Sequence, residues 1–205
     1  MLIKTLTVGH LEANCYIVTD ENSLLSAVID PGDESNVILD YIEDNKLRPQ
    51  VIFLTHGHHD HVRAAAAVSE SCGGIPIYIH QNDIAPGPKH EFYRYTPNEV
   101  TRTYADGDEI SVGPMTFRVI ETPGHSPGSV CLACGDVLFT GDTLFHTSCG
   151  RTDLPGGNMD QLLPTLRRLY SLEGDYEIYP GHMDPTTLDK ERRFNYYLRY
   201  AMETK

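Results

Sequence analysis

The most informative run of this sequence is Thr55-His56-Gly57-His58-His59-Asp60-His61. Within six positions it carries five side chains that can bind a metal. An apolar run precedes it at 51–54, and an alanine-rich, helix-like run follows at 62–68. A strand therefore ends here and a helix begins. Such a turn holds ligands rigidly because burial fixes both neighbouring elements.

The clustering of imidazoles is the feature that points to a metal. A single His after a strand is usually an ordinary surface or core residue. Several imidazoles and a carboxylate this close together repel or desolvate one another unless a cation neutralises them. Gly57 permits backbone angles that a residue with a Cβ resists, so we expect His56 and His58 to face one space. The run therefore predicts a metal site.

Length and charge limit the classes of function. The chain has 205 residues, enough for one full hydrophobic core. Its formal net charge is −13, with 16 Lys and Arg against 29 Asp and Glu. Because the basic residues do not cluster, this charge opposes binding to nucleic acid, and we expect no such partner. Two bound divalent cations would offset part of it.

Several features favour a cytoplasmic protein without a membrane partner. Residues 1–8 alternate apolar and polar side chains, which predicts a first strand and not a signal peptide. No apolar run is long enough to cross a bilayer. Five cysteines are a poor disulfide framework. Cys131 and Cys134 have the C-x-x-C spacing, but in a strand they would face opposite sides, so we interpret them as core residues.

The first part of the chain predicts a mixed sheet with helices on its outer face. Turn residues and periodicity give these elements in order: strands at 1–8, 13–19 and 24–30, a helix at 34–46, a strand at 51–54, a helix ending near Cys72, and a strand at 76–79. Residues 81–108 then break the regularity. They predict a long surface connection that forms either one wall of the site or an ordinary polar loop. Its distinctive residues are Pro86, Gly87, Pro88, His90, Phe92, Tyr93, Tyr95, Pro97, Tyr104 and Gly107.

The last part repeats this outline. The predicted elements are strands at 109–112, 115–121, 128–133 and 136–140, a helix at 158–170 containing Pro164, a strand at 177–179, and a helix at about 186–200. Two sheets with helices on one side each would bury their other faces together. We expect one domain over 1–205, built from two similar halves at about 1–80 and 109–205. The predicted architecture is a four-layer α/β/β/α sandwich.

Three further motifs supply candidate ligands. Each follows a strand-like run and includes a glycine: Thr122-Pro123-Gly124-His125, Gly141-Asp142, and Pro180-Gly181-His182. Taken singly, each polar residue is typical of a turn. Taken with the first run, they predict that strand ends from both halves converge on one edge of the sandwich.

These ordered motifs resemble those of the metallo-β-lactamase superfamily and, within it, the glyoxalase II-like hydrolases, over essentially the whole chain. The resemblance implies two divalent metal ions. His56, His58 and His125 would hold the first ion, Asp60, His61 and His182 the second, and Asp142 would bridge them. His59 occupies a variable position and is given no role as a ligand.

The implied reaction is hydrolysis of a small-molecule thioester by a metal-bridged hydroxide, which Asp60 would orient as the catalytic residue. Zinc is the expected metal, with iron or manganese as alternatives because His and Asp ligands accept all three. Asp30 is either a hydrogen-bond partner for a ligating imidazole or a plain turn residue. Asp142 in place of a thiolate argues against a zinc β-lactamase of the cysteine-ligand type.

The loop Gly150-Arg151-Thr152-Asp153-Leu154-Pro155-Gly156-Gly157 also resembles one found in glyoxalase II-like enzymes. We expect Arg151 and Asp153 to pair or to hold this loop beside Asp142. His146 and Cys149, just before the loop, and Met183, after His182, could line the pocket or serve only the structure.

Several alternatives stay open at this level. The substrate is either a hydroxyacylglutathione or a smaller acyl thiol, since the basic C-terminal helical segment that grips glutathione in full-length glyoxalase II does not follow His182. The runner-up reaction is that of a persulfide dioxygenase, in which a single iron is held either on the side of His56 and His58 or by His125 and Asp142. Lactone or ester hydrolysis and a non-enzymatic metal-binding module are further alternatives. The oligomeric state is not predicted.

Overall fold

In the part of the chain that the structure describes, the first sheet contains six strands, and it is mixed, as predicted. The structure is a computed structural model and describes residues 1–85 and 93–204. The strands of the first sheet follow one another in space as they do in the chain: β1 (Leu2–Val8), β2 (Ala13–Thr19), β3 (Leu25–Ile29), β4 (Arg48–Phe53), β5 (Ile77–His80) and β6 (Thr101–Tyr104). β1, β2 and β3 are antiparallel neighbours, whereas β3 to β6 are parallel.

Over the described residues, the second sheet also has six strands. In chain order the remaining strands are β7 (Glu109–Val112), β8 (Met115–Glu121), β9 (Val130–Cys134), β10 (Val137–Gly141), β11 (Leu144–Phe145), β12 (Ser148–Cys149), β13 (Glu177–Pro180) and β14 (Thr186–Thr187). The spatial order of the sheet is β14-β13-β10-β9-β8-β7. β13 runs parallel to β10, and the other neighbours are antiparallel. β11 and β12 form a separate hairpin.

Helices cover the outer face of each sheet. They are α1 (Ser35–Asp44), α2 (His59–Val62), α3 (Ala65–Ser71), α4 (Met159–Tyr170), α5 (Leu188–Phe194) and α6 (Tyr196–Glu203). The first three pack on the first sheet, and the last three pack on the second. In α4, Leu162, Leu166 and Leu169 share one face because they are three and four residues apart, and all three are buried. The side chain of Asn158 caps this helix, and Pro164 lies inside it without ending it.

An aromatic core joins the two sheets. The rings of Phe53 and Phe117 lie 5.0 Å apart, and those of Tyr16 and Phe139 lie 5.3 Å apart. Cys134 belongs to this inner core, whereas Cys131 packs under the helices of the second sheet. The two cysteines therefore face opposite sides, as predicted. The four-layer α/β/β/α sandwich is confirmed, while its description as one domain of two similar halves stays a prediction.

Two predicted helices are each divided in two. The helix after the His-rich run stops at α2 because the amide of Ala64 donates to the carbonyl of Pro31 (3.0 Å). The C-terminal helix breaks at Asn195, whose side chain caps α6 and donates to the carbonyl of Ser148 (2.9 Å). At Ala64 a tertiary hydrogen bond replaces a helical one, whereas at Asn195 the side-chain oxygen accepts from the amides of Tyr197 and Leu198 in place of a helical carbonyl.

The prediction of a surface connection over 81–108 is wrong in part. Gln81–Asp83 form one turn of 3-10 helix, and β6 is the sixth strand of the first sheet. Tyr95 and Tyr104 are buried. The distinctive residues Pro86, Gly87, Pro88, His90 and Phe92 lie outside the described residues. Within 1–85 and 93–204, no helix has the length and apolar character needed to cross a membrane.

Candidate metal centre

The candidate ligands all follow the C-terminal ends of strands. The His-rich run 55–61 follows β4, His125 follows β8, Asp142 follows β10, and His182 follows β13. Because β8, β10 and β13 run in the same direction in the second sheet, their C-terminal ends meet at one edge. The predicted convergence of strand ends from both sheets is therefore present.

The first group of candidate ligands consists of His56, His58 and His125. One nitrogen from each ring lies within 4.8 Å of the others. Nε2 of His125 lies 2.8 Å from Nδ1 of His58. Within the described part of the chain, Nε2 of His56 and Nε2 of His58 are buried without a hydrogen-bond partner. Buried polar atoms are rarely left unpaired, and for His56 a cation would satisfy the ring nitrogen.

The second group consists of Asp60, His61 and His182. Nε2 of His61 lies 3.2 Å from Nε2 of His182, and Oδ2 of Asp60 lies 3.4 Å from Nε2 of His182. Oδ2 of Asp60 also lies 3.7 Å from Nε2 of His61. Three candidate ligand atoms thus face one small space, as in the first group.

Asp142 touches both groups. Its Oδ1 lies 3.4 Å from Nε2 of His61, and its Oδ2 lies 3.5 Å from Nε2 of His125 and 3.7 Å from Nε2 of His182. Among the described residues, Oδ1 of Asp142 has no hydrogen-bond partner although it is buried. All the side chains proposed as ligands from the sequence are therefore brought together, with Asp142 between two sets of three.

Asp30 supports the site from behind. Its carboxylate accepts hydrogen bonds from the amide (2.7 Å) and the hydroxyl (2.6 Å) of Thr55, and it lies 3.1 Å from Nδ1 of His61. A partner on Nδ1 directs the Nε2 lone pair of His61 toward the cluster. The role predicted for Asp30 as a partner of an imidazole is confirmed. Asp30 has φ 51°, a left-handed conformation that Asp tolerates better than most residues.

Other ligand candidates have comparable partners. Nδ1 of His125 lies 2.8 Å from the carbonyl oxygen of Arg151, and Nδ1 of His56 lies 3.1 Å from the hydroxyl of Thr55. Donation from Nδ1 of His125 leaves its Nε2 as a lone-pair donor. The guanidinium of Arg151 donates to both carboxylate oxygens of Asp153, at 2.7 and 2.6 Å. The predicted Arg151–Asp153 pair is confirmed.

The electrostatics of the cluster fit a cation. Burial and neighbouring imidazoles hold the pKa of His56 well below its usual range and lower the pKa of His58 to about 3. Both rings are therefore neutral, the form in which imidazole binds metals. Burial also acts to lower the pKa of His61, but the charges of Asp142 and Asp30 outweigh it and raise that pKa to about 9. The carboxylates thus favour positive charge at this position, which divalent ions would supply.

Two residues that sequence reasoning missed hold the loop of His182. The side-chain amide of Asn14 donates to the carbonyls of Pro180 (3.0 Å) and Met183 (2.9 Å). The hydroxyl of Tyr16 donates to the carbonyl of Pro180 (2.5 Å). The available signal was the position of Asn14 near the start of a predicted strand whose other residues are mostly apolar. A third missed residue, Asp83, contacts the loops of the first group.

Gly57 serves a purpose different from the predicted one. Its φ lies outside the left-handed region. A Cβ at Gly57 would instead lie 2.7 Å from the carbonyl oxygen of Asp83 and 2.9 Å from the amide nitrogen of Tyr95. The glycine is needed for close approach of the neighbouring backbone, so the explanation from backbone angles was wrong.

A cavity of about 520 Å³ opens above the cluster. Its apolar walls are formed by Leu11, Tyr93, Phe145, Leu154 and Met183. Tyr93 thus brings the 81–108 segment to the site, as one of the two alternatives proposed. The remaining lining residues are His58, His59, Asp60, His125, Asp142, Ser148, Cys149, Arg151 and His182.

The four side chains to which the sequence assigned no definite role differ in whether they line the cavity. Cys149, His59 and Met183 line the cavity, whereas His146 is exposed and outside its lining. Burial raises the pKa of Cys149 to about 12, so the side chain is a neutral thiol and a poor nucleophile.

Known proteins resemble this chain in sequence. A sequence profile described as "Metallo-beta-lactamase superfamily" matches residues 8–182. An uncharacterized protein of Mycobacterium leprae is 37% identical, covering 97% of this chain and 99% of its own length. The probable metallo-hydrolase YqgX of Bacillus subtilis is 36% identical, and the match covers 95% of this chain and 96% of YqgX. Hydroxyacylglutathione hydrolase GloC of Haemophilus influenzae is 31% identical, and the match covers 97% of this chain and 98% of GloC.

Solved structures resemble the chain over nearly its full length. The BLEG-1 B3 metallo-beta-lactamase has a TM-score of 0.84 and 30% identity, covering 96% of this chain and 99% of its own. TTHA1623 in a di-iron-bound form has a TM-score of 0.80 and 35% identity, covering 95% and 99%. ETHE1 from Myxococcus xanthus has a TM-score of 0.81 and 28% identity, covering 100% and 91%.

Proposed function

Because this chain belongs to the metallo-beta-lactamase superfamily, we propose that it is a metal-dependent hydrolase that cleaves a thioester. The observation that carries this proposal is the position of Asp142, whose two carboxylate oxygens contact both groups of three candidate ligands. Such an arrangement suits a pair of metal ions sharing one carboxylate. The name of the Haemophilus influenzae relative, a hydroxyacylglutathione hydrolase, supports the thioester as substrate.

The ligand assignment is part of the proposal. His56, His58 and His125 would hold one ion, Asp60, His61 and His182 the other, and Asp142 both. When bound, the two ions would supply a hydroxide nucleophile at neutral pH and polarise the acyl oxygen of the substrate. Zinc is our first choice, with iron or manganese as alternatives, and the di-iron form of TTHA1623 supports iron as a serious alternative.

The chain's own residues contribute orientation and exclusion of water. Asp60 lies at the floor of the cavity, where its carboxylate would orient the attacking oxygen. Asp30 and the carbonyl of Arg151 fix the rings of His61 and His125. The apolar walls of the cavity would surround the acyl group and exclude bulk water, which strengthens electrostatic interactions at the floor.

Two further parts of the proposal concern location and partners. The five cysteines are free thiols, which supports a cytoplasmic location. With a net charge of −13, the chain is not suited to bind nucleic acid, and we propose a small molecule as its partner. We propose no membrane partner.

The lining of the cavity favours an uncharged substrate over a glutathione thioester. Among the described lining residues, Arg151 is the single Lys or Arg, and its charge is paired with Asp153. The glutathione group of a substrate would bring net negative charge into a cavity whose described lining offers no unpaired Lys or Arg to receive it. We therefore choose the smaller acyl thiol of the two substrate classes predicted from the sequence.

A substrate comparison tests this choice. With metal-loaded protein, we expect kcat/KM for a neutral acyl-N-acetylcysteamine to exceed that for lactoylglutathione by about tenfold, a difference of ~1.4 kcal/mol. Asp153→Asn frees the charge of Arg151 and should narrow the preference. Preference for lactoylglutathione would contradict the choice of substrate, and no turnover of either thioester would contradict the proposed function.

A persulfide dioxygenase is the second candidate, and the likeness to ETHE1 over the whole chain favours it. In that reaction a single iron would use His56, His58, His125 and Asp142. Oxygen consumption with glutathione persulfide, together with one iron per chain, would establish it in place of thioester hydrolysis. The likeness to BLEG-1 makes a β-lactam a useful additional substrate in the same assay, as are a simple ester and a lactone.

A further inference from the structure

Asp83 is a buried carboxylate with no role in the mechanism described above. It ends the 3-10 turn Gln81–Asp83 that follows β5, and its side chain is fully buried (0% exposed). Oδ2 accepts hydrogen bonds from the amide of Gly57 (2.8 Å) and the hydroxyl of Ser126 (2.6 Å), and Oδ1 accepts one from the amide of Gly128 (2.7 Å). Among the described residues, no basic side chain forms an ion pair with it.

These three donors lie beside the first group of candidate ligands. Gly57 stands between His56 and His58 in the chain, and Ser126 directly follows His125. The loop after β4 belongs to the first sheet, whereas the loop after β8 belongs to the second. One carboxylate therefore links the two loops that bring these imidazoles together.

Two glycines make this link possible. A Cβ on Gly57 would lie 2.7 Å from the carbonyl oxygen of Asp83, and a Cβ on Gly128 would lie 2.8 Å from its carboxyl carbon. Real Cβ atoms do not approach other atoms so closely. Both loops thus carry glycine where the 3-10 turn inserts between them.

We propose that Asp83 is a positioning residue that fixes the loop of His56 and His58 against the loop of His125, and thereby sets the affinity of the first metal site. A carboxylate suits this task because it only accepts hydrogen bonds, and all three of its partners can donate. The proposal rests on the proposed metal site but not on the nature of the substrate.

The test is the metal affinity of an Asp83→Asn variant. The amide has nearly the same shape, but its NH2 group must face at least one of the three donors. We expect zinc affinity of the metal-free protein, measured by competition with a chromogenic chelator, to fall by about 10–100-fold, as for other residues that orient metal ligands. Hydrogen exchange at the amides of Gly57 and Gly128 should become faster in the metal-free variant.

Glu191→Gln is the matched control. Glu191 is also a buried carboxylate (1% exposed) with three donors, namely the amide of Thr147, the hydroxyl of Thr186 and the side-chain amide of Asn195, each at 2.8 Å. Its contact with Thr147 holds the β11–β12 hairpin, and none of these three partners lies in either ligand loop. We expect its variant to lose stability while keeping the zinc affinity of the parent protein.

The proposal is overturned if Asp83→Asn folds and binds zinc as tightly as the parent protein, or if Glu191→Gln weakens zinc binding equally. Should Asp83→Asn fail to fold, Ser126→Ala replaces it, because that change removes one donor and keeps the two amide contacts. Ser126→Ala should then weaken zinc binding by a smaller factor, and unchanged affinity would overturn the proposal. Zinc affinity is measured without substrate. A failure to hydrolyse thioesters would therefore contradict the proposed function without deciding the role of Asp83.

Discussion

Replacing Asp142 with Ala is expected to lower kcat/KM for a thioester by more than about a hundredfold, beyond the 10–100-fold typical of residues that only orient a ligand. Asp142 is the carboxylate that lies within 3.7 Å of imidazoles from both groups. Without it, both groups lose the carboxylate that we propose they share, and the negative charge that offsets His61 is reduced. The ion content measured by metal analysis should fall below two per chain.

Two comparisons separate the charge of Asp142 from other effects of the substitution. Asp142→Asn keeps the shape of the side chain but not its charge, and it should retain more stability than Asp142→Ala while still losing activity. Asp136→Ala changes an exposed carboxylate in the turn between β9 and β10 and should leave both metal content and activity unaltered. Wild-type turnover and metal content in Asp142→Ala would contradict the assigned role.

Gly150→Ala is expected to damage the site without removing a candidate ligand. A Cβ at this position would lie 1.8 Å from the carbonyl oxygen of Asp142 and 3.0 Å from Nδ1 of His125. The backbone must move to relieve the first contact, and overpacking of this kind costs about 1–3 kcal/mol or more. Because the movement displaces Asp142 and His125 together, zinc affinity and kcat/KM should each fall by at least about tenfold.

Gly135→Ala is the control for the general cost of losing a glycine. Gly135 has φ 62° and open space around its Cβ position, in the turn that joins β9 and β10. Its substitution should cost about 1–2 kcal/mol through backbone strain and leave zinc affinity intact. Thermal denaturation compares the stability of Gly150→Ala with that of Gly135→Ala, and zinc competition compares their zinc affinities. Equal loss of zinc affinity in the two would contradict the role of Gly150.

The site was more predictable from sequence than the details of the fold around it. His56, His58, His125, Asp142 and His182 could be recognised because each stands next to a glycine or in a dense cluster after a strand. The C-terminal ends of strands that run in the same direction lie at one edge of a sheet. Motifs that each follow such a strand can therefore be expected to lie close together in space. Their roles as ligands remain a proposal, whereas their proximity is observed.

The remainder depended on tertiary contacts that leave little trace in local sequence. β6 reads Thr101-Arg102-Thr103-Tyr104, and two of its side chains are exposed, so its strand conformation comes from backbone pairing with β5 at an edge and not from apolar alternation. The division between α2 and α3 arises from a hydrogen bond to Pro31, which lies over thirty residues earlier in the chain. Likewise, nothing in the local sequence distinguishes Asp83 from the other acidic residues. Its role depends on three hydrogen-bond donors that lie in two other loops.

A zinc titration of metal-free protein during hydrolysis of a neutral thioester tests most directly whether bound metal ions carry the reaction. We expect negligible turnover without metal and a rise to a plateau as two ions bind per chain, one for each group of three candidate ligands around Asp142. Turnover by the metal-free protein at the rate of the loaded protein, or failure to bind zinc, would contradict the proposal that bound metal ions carry the reaction.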